Sequence, residues 1–303
     1  MTDCPTGSAA FSPAALGLAV APRRSDAGRA AAAAAGRRHA ERMGLPSAAC
    51  DDLTVLPFAA FFSLLSFSWF ILSRLLMPYV IPKTYAKLGR EPGAQGYWDA
   101  SFASTTNSFV TAGLAIHAFM RSPSLMTSED LYLKTPETCV SATAFVTWVC
   151  FELCCQLYYL RQWREGPAIL IHHVSAIAAW ALYLQGGYGH ALSLVGSICE
   201  LTNPFMNMRY FLATLELRAS RLYVLNGLAF VLAWLAVRVC YALAHGCFLI
   251  YRQQAMWTQL PPWRAAAFVG FYCVGAALNS FWFVKLVKGA YMVIYGGKGK
   301  KTA

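Results

Sequence analysis

Charge is scarce in this chain: Asp, Glu, Lys and Arg supply 13% of 303 residues, and only 14 residues are acidic. Globular domains carry roughly 25%, so a soluble protein of this size would be left with too few ions to cover its surface. The six histidines are too few and too scattered for a di-iron lipid hydroxylase, whose metals need many clustered imidazoles. None of the ten cysteines stands in a C-x-x-C pair, which removes thiol redox and zinc-ribbon roles. Internal repeats are absent, and no interval between apolar runs is large enough for a separate soluble domain.

What is abundant is hydrocarbon, at 57% of residues. A bilayer core of roughly 30 Å needs about 20 apolar residues per crossing helix. Runs of that kind lie at Val55 to Ile81, Trp98 to Met120, Thr138 to Leu160, Pro167 to Leu184, His190 to Leu212, Leu222 to Ile250 and Ala265 to Tyr291. The expected architecture is an all-α polytopic membrane protein, a seven-helix transmembrane bundle with short connections. Trp98, Trp163, Trp257, Trp263 and Tyr291 fall near span ends, where aromatic belts form. Most cysteines, Cys139, Cys150, Cys154, Cys155, Cys199, Cys240, Cys247 and Cys273, fall in apolar helices and read as small buried hydrophobes.

The net charge of +11 sits in loops and tails, so it reads as membrane orientation and not as a nucleic-acid surface. With the C-terminus in the cytosol, the cytosolic segments hold Lys83, Lys87, Arg90, Arg161, Arg164, Arg218, Arg221, Lys285, Lys288, Lys298, Lys300 and Lys301. The opposite loops hold Arg121, Lys134, Arg252 and Arg264. The Arg-rich N-terminal stretch runs against this asymmetry, and residues 1–54 are read as a disordered or targeting tail outside the fold. Its Ala9 to Val20 run is too short to span and contains Pro13. The basic tail, residues 296–303, ends Lys300-Lys301-Thr302-Ala303, resembling the dilysine signal read by coat-type retrieval machinery at the endoplasmic reticulum. A snorkelling anchor is the plainer reading of the same lysines.

Titratable and amide side chains at membrane depth are costly and mark internal sites. His172 and His173 lie in one apolar run, and Glu200, Asn203 and Asn207 share one helical face in the next through i, i+3, i+7 spacing. Imidazole is the natural base or nucleophile near neutral pH. Neighbours on a helix point about 100° apart, so one histidine is expected to reach the site and the other to orient it. Pro204 lacks an N–H and crowds the carbonyl of Glu200, which predicts a kink. Asn107, His117, Glu152, Gln156, Arg209, Arg238 and Asn279 are further polar residues at depth, with Glu152 to Arg238 or Arg209 expected as neutralising pairs. A hydrogen-bonded helix seam explains such residues without chemistry, each contact stabilising by about 0.6 to 2 kcal/mol. Lys285 lacks a carboxylate counter-ion of the kind retinal proteins use and lies near the cytosolic end.

The ordered set His172-His173, Glu200-x-x-Asn203-Pro204-Phe205-x-Asn207-x-Arg209, Arg238 and Leu278-Asn279-x-x-Trp282 resembles the TLC-domain family, which includes the ceramide synthases and smaller proteins of lipid homeostasis. The likeness spans roughly Val55 to Tyr295 and implies a TLC-type transmembrane domain over residues 55–295. Ceramide synthases carry D-x-x-D-x-x-L-E where Glu200, Asn203 and Asn207 stand here, so the resemblance is closer to the smaller members. It implies a protein that binds or senses membrane lipid in an intramembrane polar cavity lined by Asn203, Asn207, Glu152, Asn107, Arg238 and Asn279. The alternative it implies is acyl transfer from acyl-CoA as co-substrate, with His172, His173 and Glu200 as catalytic residues. Neither reading calls for a bound cofactor or metal, and both place the protein in the endoplasmic reticulum membrane with no nucleic-acid partner.

Overall fold

The computed structural model describes residues 52–163 and 167–295. The Arg-rich N-terminal stretch, Arg164 and the Lys300-Lys301 end therefore lie outside the described residues. The described chain is helical, with no strand. In chain order it forms α1 (Asp52–Val80), α2 (Pro82–Leu88), α3 (Ala94–Arg121), α4 (Pro136–Tyr158), α5 (Pro167–Gly186), α6 (His190–Ile198), α7 (Asn203–Thr214), α8 (Arg221–Ala233), α9 (Ala242–Arg252), α10 (Met256–Gln259) and α11 (Pro262–Tyr295).

Local chemistry sets these boundaries. Thr135 and Thr138 form a reciprocal capping box at the start of α4, with Pro136 in the first turn and Glu137 beside the positive end of the helix dipole. Ser220 caps α8 by accepting the Tyr223 N–H at 3.1 Å. Between α6 and α7 the backbone tightens into a 3-10 turn, Cys199–Thr202, directly before Pro204. The proline has no N–H to give the Glu200 carbonyl, so the ladder cannot run through. Between α8 and α9 the helix does not stop but widens into a π-helical segment, Trp234–Tyr241. Segments of this kind inside α-helices are rare and cluster at functional sites.

Five stretches are long and apolar enough to cross a membrane: Val55–Val80, Pro136–Tyr158, Pro167–Gly186, Arg221–Arg252 and Pro262–Met292. The seven-span expectation is thus met only in part. Of the two remaining expected spans, Trp98 to Met120 falls in α3, one continuous helix of 28 residues that is too polar to qualify. The other, His190 to Leu212, is divided into α6, the 3-10 turn and α7.

α3 tolerates its polarity because the bundle surrounds it. It packs against α1, α4, α6 and α7, and Ala103, Ala112, Ala115, Ala118 and Ser108 are fully buried along it. Small residues let neighbouring helices approach closely. The α3 hydroxyls are satisfied on their own helix, Thr105 donating to the Ser101 carbonyl at 2.8 Å and Ser108 to the Ser104 carbonyl at 2.7 Å. α1 and α11 lie at the periphery, with 11% and 6% of their spanning windows buried against 61% for α4. Their exposed faces carry Leu64, Phe67, Leu75, Phe281, Val284 and Val287, as helices against lipid tails require.

Two expectations need correction. Cys139 is buried but disulfide-bonded, Cys150, Cys154, Cys240, Cys247 and Cys273 are free thiols on exposed faces, Cys155 is half-buried, and Cys199 is the free thiol that is buried. Small size lets a cysteine sit on a lipid-facing surface as easily as in a core. Trp98 is no interfacial anchor: it is 5% exposed and packs on Phe211 and Tyr210. Glu216, just past α7, has a left-handed backbone at φ 62°, and Lys87 of α2 bonds its carboxylate at 2.7 Å. That hydrogen bond holds the Glu216 carboxyl below its usual range.

One buried charge ties the first three helices together. Asp99 of α3, fully buried, accepts from Ser73 at 2.7 Å, Arg74 Nε at 2.7 Å and the Tyr85 hydroxyl at 2.9 Å. Replacing it with leucine strands these donors. Asp99→Leu is expected to cost roughly 1 to 3 kcal/mol and to lower the thermal midpoint in detergent. Glu216→Ala, at an exposed pair, should leave that midpoint unchanged.

Candidate functional site

Residues from five α-helices, the 3-10 turn and the π-segment converge inside the bundle. α4 supplies Glu152 and Gln156, α5 supplies His172 and His173, the 3-10 turn and α7 supply Glu200, Asn203 and Asn207, the π-segment supplies Arg238, α11 supplies Trp282, and α3 contributes Ser101 and Ser104. All of these line one cavity of 420 Å³. A second cavity of 110 Å³ shares Phe145, His172, Glu200 and Arg238 with the first and adds Asn279. Of the polar groups, His172, Glu200 and Arg238 lie between the two chambers, and the belt continues along the larger one through His173, Glu152 and Asn203.

Arg238 is the hub. Its Nε donates to Thr202 Oγ1 at 2.7 Å, Nη1 to Asn279 Oδ1 at 3.2 Å, and Nη2 to Glu200 Oε2 at 3.2 Å and Asn203 Oδ1 at 3.1 Å. Asn203 Nδ2 closes the loop by donating to Glu200 Oε2 at 2.6 Å. The guanidinium also lies over the Trp234 ring at 4.6 Å. Arg238 is 3% and Glu200 5% exposed, so each needs the other: an unpaired ion at that depth would be severely desolvated. The planar fork of arginine suits this many-sided role where lysine would not.

His173 is held from the opposite wall. Its Nδ1 lies 3.1 Å from Gln156 Oε1 and its Nε2 3.3 Å from Glu152 Oε2. Gln156 and Glu152 stand one turn apart on α4, so that helix fixes the ring at both nitrogens. The pair His173 and Glu152 can exchange a proton without moving a heavy atom. His172 faces elsewhere, its ring meeting Trp282 edge to face at 5.3 Å. Trp282 in turn meets Trp234 at 6.2 Å.

This arrangement redistributes the roles expected from sequence. His172 and His173 both reach the larger cavity, and Glu152 and Gln156, not His172, orient His173. The neutralising pair is Arg238 with Glu200, because the kinked turn brings Glu200 to the π-segment; Glu152 faces α5 and takes His173 instead. Arg209 points away and stacks on Tyr223 at 4.2 Å. Asn207 lines the cavity while donating to Thr105 of α3 at 3.0 Å. Asn107 stands on neither wall: Ser104 is the last α3 residue to line the cavity, and Asn107 is one turn further on, buried among helices. His117 is exposed on the outside of α3.

Sequence reasoning missed Thr202, Trp234 and Asp99. Thr202 could have been found, since it follows Glu200 by two residues in the same motif. Trp234 could not, because its approach depends on the π-segment, for which no spacing rule exists. Among the described residues, no group of three or more His, Cys, Asp or Glu side chains could hold a metal ion.

Taken together, these features define a helical membrane protein with a mostly apolar cavity and an ionic belt along it. The chain belongs to the TLC-domain family: the model of that domain matches residues 97–288, a narrower stretch than Val55 to Tyr295 and one that begins within α3. It is 24% identical over 242 residues to TLC domain-containing protein 4 of Xenopus tropicalis, covering 73% of this chain and 87% of that protein. Human TLC domain-containing protein 4 is 28% identical over 131 residues, 41% of this chain and 48% of its own length. A Dictyostelium discoideum relative, TLC domain-containing protein 4 A, is 26% identical over 150 residues, 48% and 56% of the two chains. No solved structure matches the chain.

The hub makes a specific demand. Arg238→Leu leaves the Glu200 carboxylate buried without its cation and is expected to destabilise the protein by about 3 to 5 kcal/mol. The double variant Arg238→Leu with Glu200→Gln removes the ion and should recover much of that loss. Thermal unfolding of the two singles and the double in detergent reads this directly.

Proposed function

We propose that this TLC-domain protein holds a membrane lipid inside the bundle, its hydrocarbon against the apolar walls and its polar part against the belt of His173, Glu152, Glu200 and Arg238. The observation that carries this reading is the convergence of those side chains on one 420 Å³ cavity within helices long and apolar enough to cross a bilayer. Ligand sites are commonly apolar hollows with a few polar groups that fix orientation, and this cavity has that composition. Because Arg238 is matched by Glu200, the centre of the belt suits an uncharged polar group such as a hydroxyl or an amide. Its setting would be a seven-helix bundle in which α3 and the broken α6–α7 pair cross along with the five apolar stretches.

The endoplasmic reticulum membrane, with the C-terminus cytosolic, is the location we infer. The lysine and arginine distribution supports it, as does the dilysine sequence at Lys300 and Lys301, a candidate for coat-type retrieval machinery. Cys139, at the beginning of α4 on the opposite side, is disulfide-bonded, which fits an oxidising lumen there.

A second reading is acyl transfer from acyl-CoA to a lipid amine or hydroxyl, favoured by the placement of Glu152 and Gln156 around His173. In it His173 takes the proton of the attacking amine or hydroxyl, Glu152 steadies the imidazolium, and the proton passes to the CoA thiolate that leaves as the thioester C–S bond breaks.

Purified full-length protein separates the two. In the binding reading, lipid extracted from the wild type is identified by mass spectrometry, Asn207→Leu reduces it several-fold, and added acyl-CoA is not consumed. In the transfer reading acyl-CoA is consumed, and Glu152→Gln or His173→Ala slows turnover by roughly 100-fold or more. Absence of both bound lipid and turnover refutes both.

A further inference from the structure

The 110 Å³ chamber beyond the belt is used by neither reading so far. Its walls away from the belt are mostly apolar, with Ala176, Ala179, Leu192, Val195 and Gly275 among them, and Ser175, Tyr183 and Tyr272 add a few hydroxyls. At one side Trp180 closes on α6, where a Cβ on Gly196 would come within 2.4 Å of the indole. At 110 Å³ and with a mostly apolar wall, the chamber suits a hydrocarbon segment better than a headgroup. It abuts the larger cavity across Phe145, His172, Glu200 and Arg238, so a chain passing beside His172 would carry apolar carbon from one chamber into the other.

We propose that this small chamber receives the terminal segment of the hydrocarbon chain of the bound lipid, and that the wall at Gly275 and Trp180 limits how long that chain can be. The proposal rests on the lipid-binding reading above and adds the direction in which the chain lies: polar group in the larger cavity, chain end toward α6 and the middle of α11. Occupying the chamber removes apolar surface from water or from an empty void, each of which favours a well-fitted chain.

Gly275 provides the handle. A Cβ built there meets nothing within 4 Å, and glycine is a poor helix former, so Gly275→Leu adds bulk to the chamber wall without a clash at its base. Gly270, on the same helix, is equally unobstructed but lines neither cavity, which makes Gly270→Leu the matched control.

The test uses full-length protein in detergent and fatty alcohols of graded length brominated at the chain end, because bromine quenches nearby indole fluorescence. In the wild type, quenching should contain a component that Trp180→Phe removes and that is largest for the longer probes. Gly275→Leu should weaken that component several-fold and shift the preferred probe to a shorter chain, while Gly270→Leu should match the wild type. Quenching of the remaining tryptophans that is indifferent to Trp180→Phe and Gly275→Leu overturns this inference and leaves lipid binding standing. No saturable quenching by any probe, together with no lipid in the purified wild type, overturns both.

Discussion

A guanidinium 3% exposed in the middle of an apolar bundle is the constraint from which the rest of this structure follows. Arg238 can stay charged there only if its donors meet acceptors, and it draws them from three separate elements: Glu200 and Thr202 from the 3-10 turn, Asn203 from α7 and Asn279 from α11. Each of those elements is bent or placed to comply. The proline after Glu200 breaks the helix so that its turn can face inward, and the π-segment provides the wider turn on which Arg238 sits. A helix that must present an ion to several partners cannot also present an unbroken apolar stripe.

The same constraint separates two kinds of polarity. Around Arg238 the charges cancel locally and the hydrogen bonds are used up, which makes that half of the belt a structural clamp. Around His173 both ring nitrogens are engaged as well. Its ring faces Glu152 and Gln156 on α4 while the cavity lies open beside it. The α4–α5 side therefore carries a histidine–carboxylate pair, and the side of the turn, π-segment and α11 carries the arginine–carboxylate pair. A site built on helices that are themselves buried, as α4 is, holds its groups more tightly than one built on loops.

How much of this was legible beforehand differs by feature. The apolar runs disclosed the long helices because length and hydropathy are local properties. The histidine pair and the Glu200 motif disclosed the belt because ionisable groups are rarely retained at membrane depth without a use. What the chain does not write locally is partnership. Glu152 and Glu200 are equally acidic in sequence, and only packing decides that one meets His173 and the other Arg238. Asn107 looked like a wall residue because α3 periodicity gave no indication of where along the helix the cavity ends. Asp99 passed unnoticed near a span end, though burial and three donors make it the tie among α1, α2 and α3.

Lipid density is the most direct test of the central claim, that a shared cavity between the α4–α5 face and the Arg238 clamp is where a lipid resides. Electron cryo-microscopy of the full-length protein in lipid nanodiscs should resolve elongated density inside the bundle, within contact distance of both His173 and the Glu200–Arg238 pair. A map in which α11 closes against α5 so that His173 and Glu200 are walled off by packed side chains, with lipid only on the outer faces of α1 and α11, would contradict it.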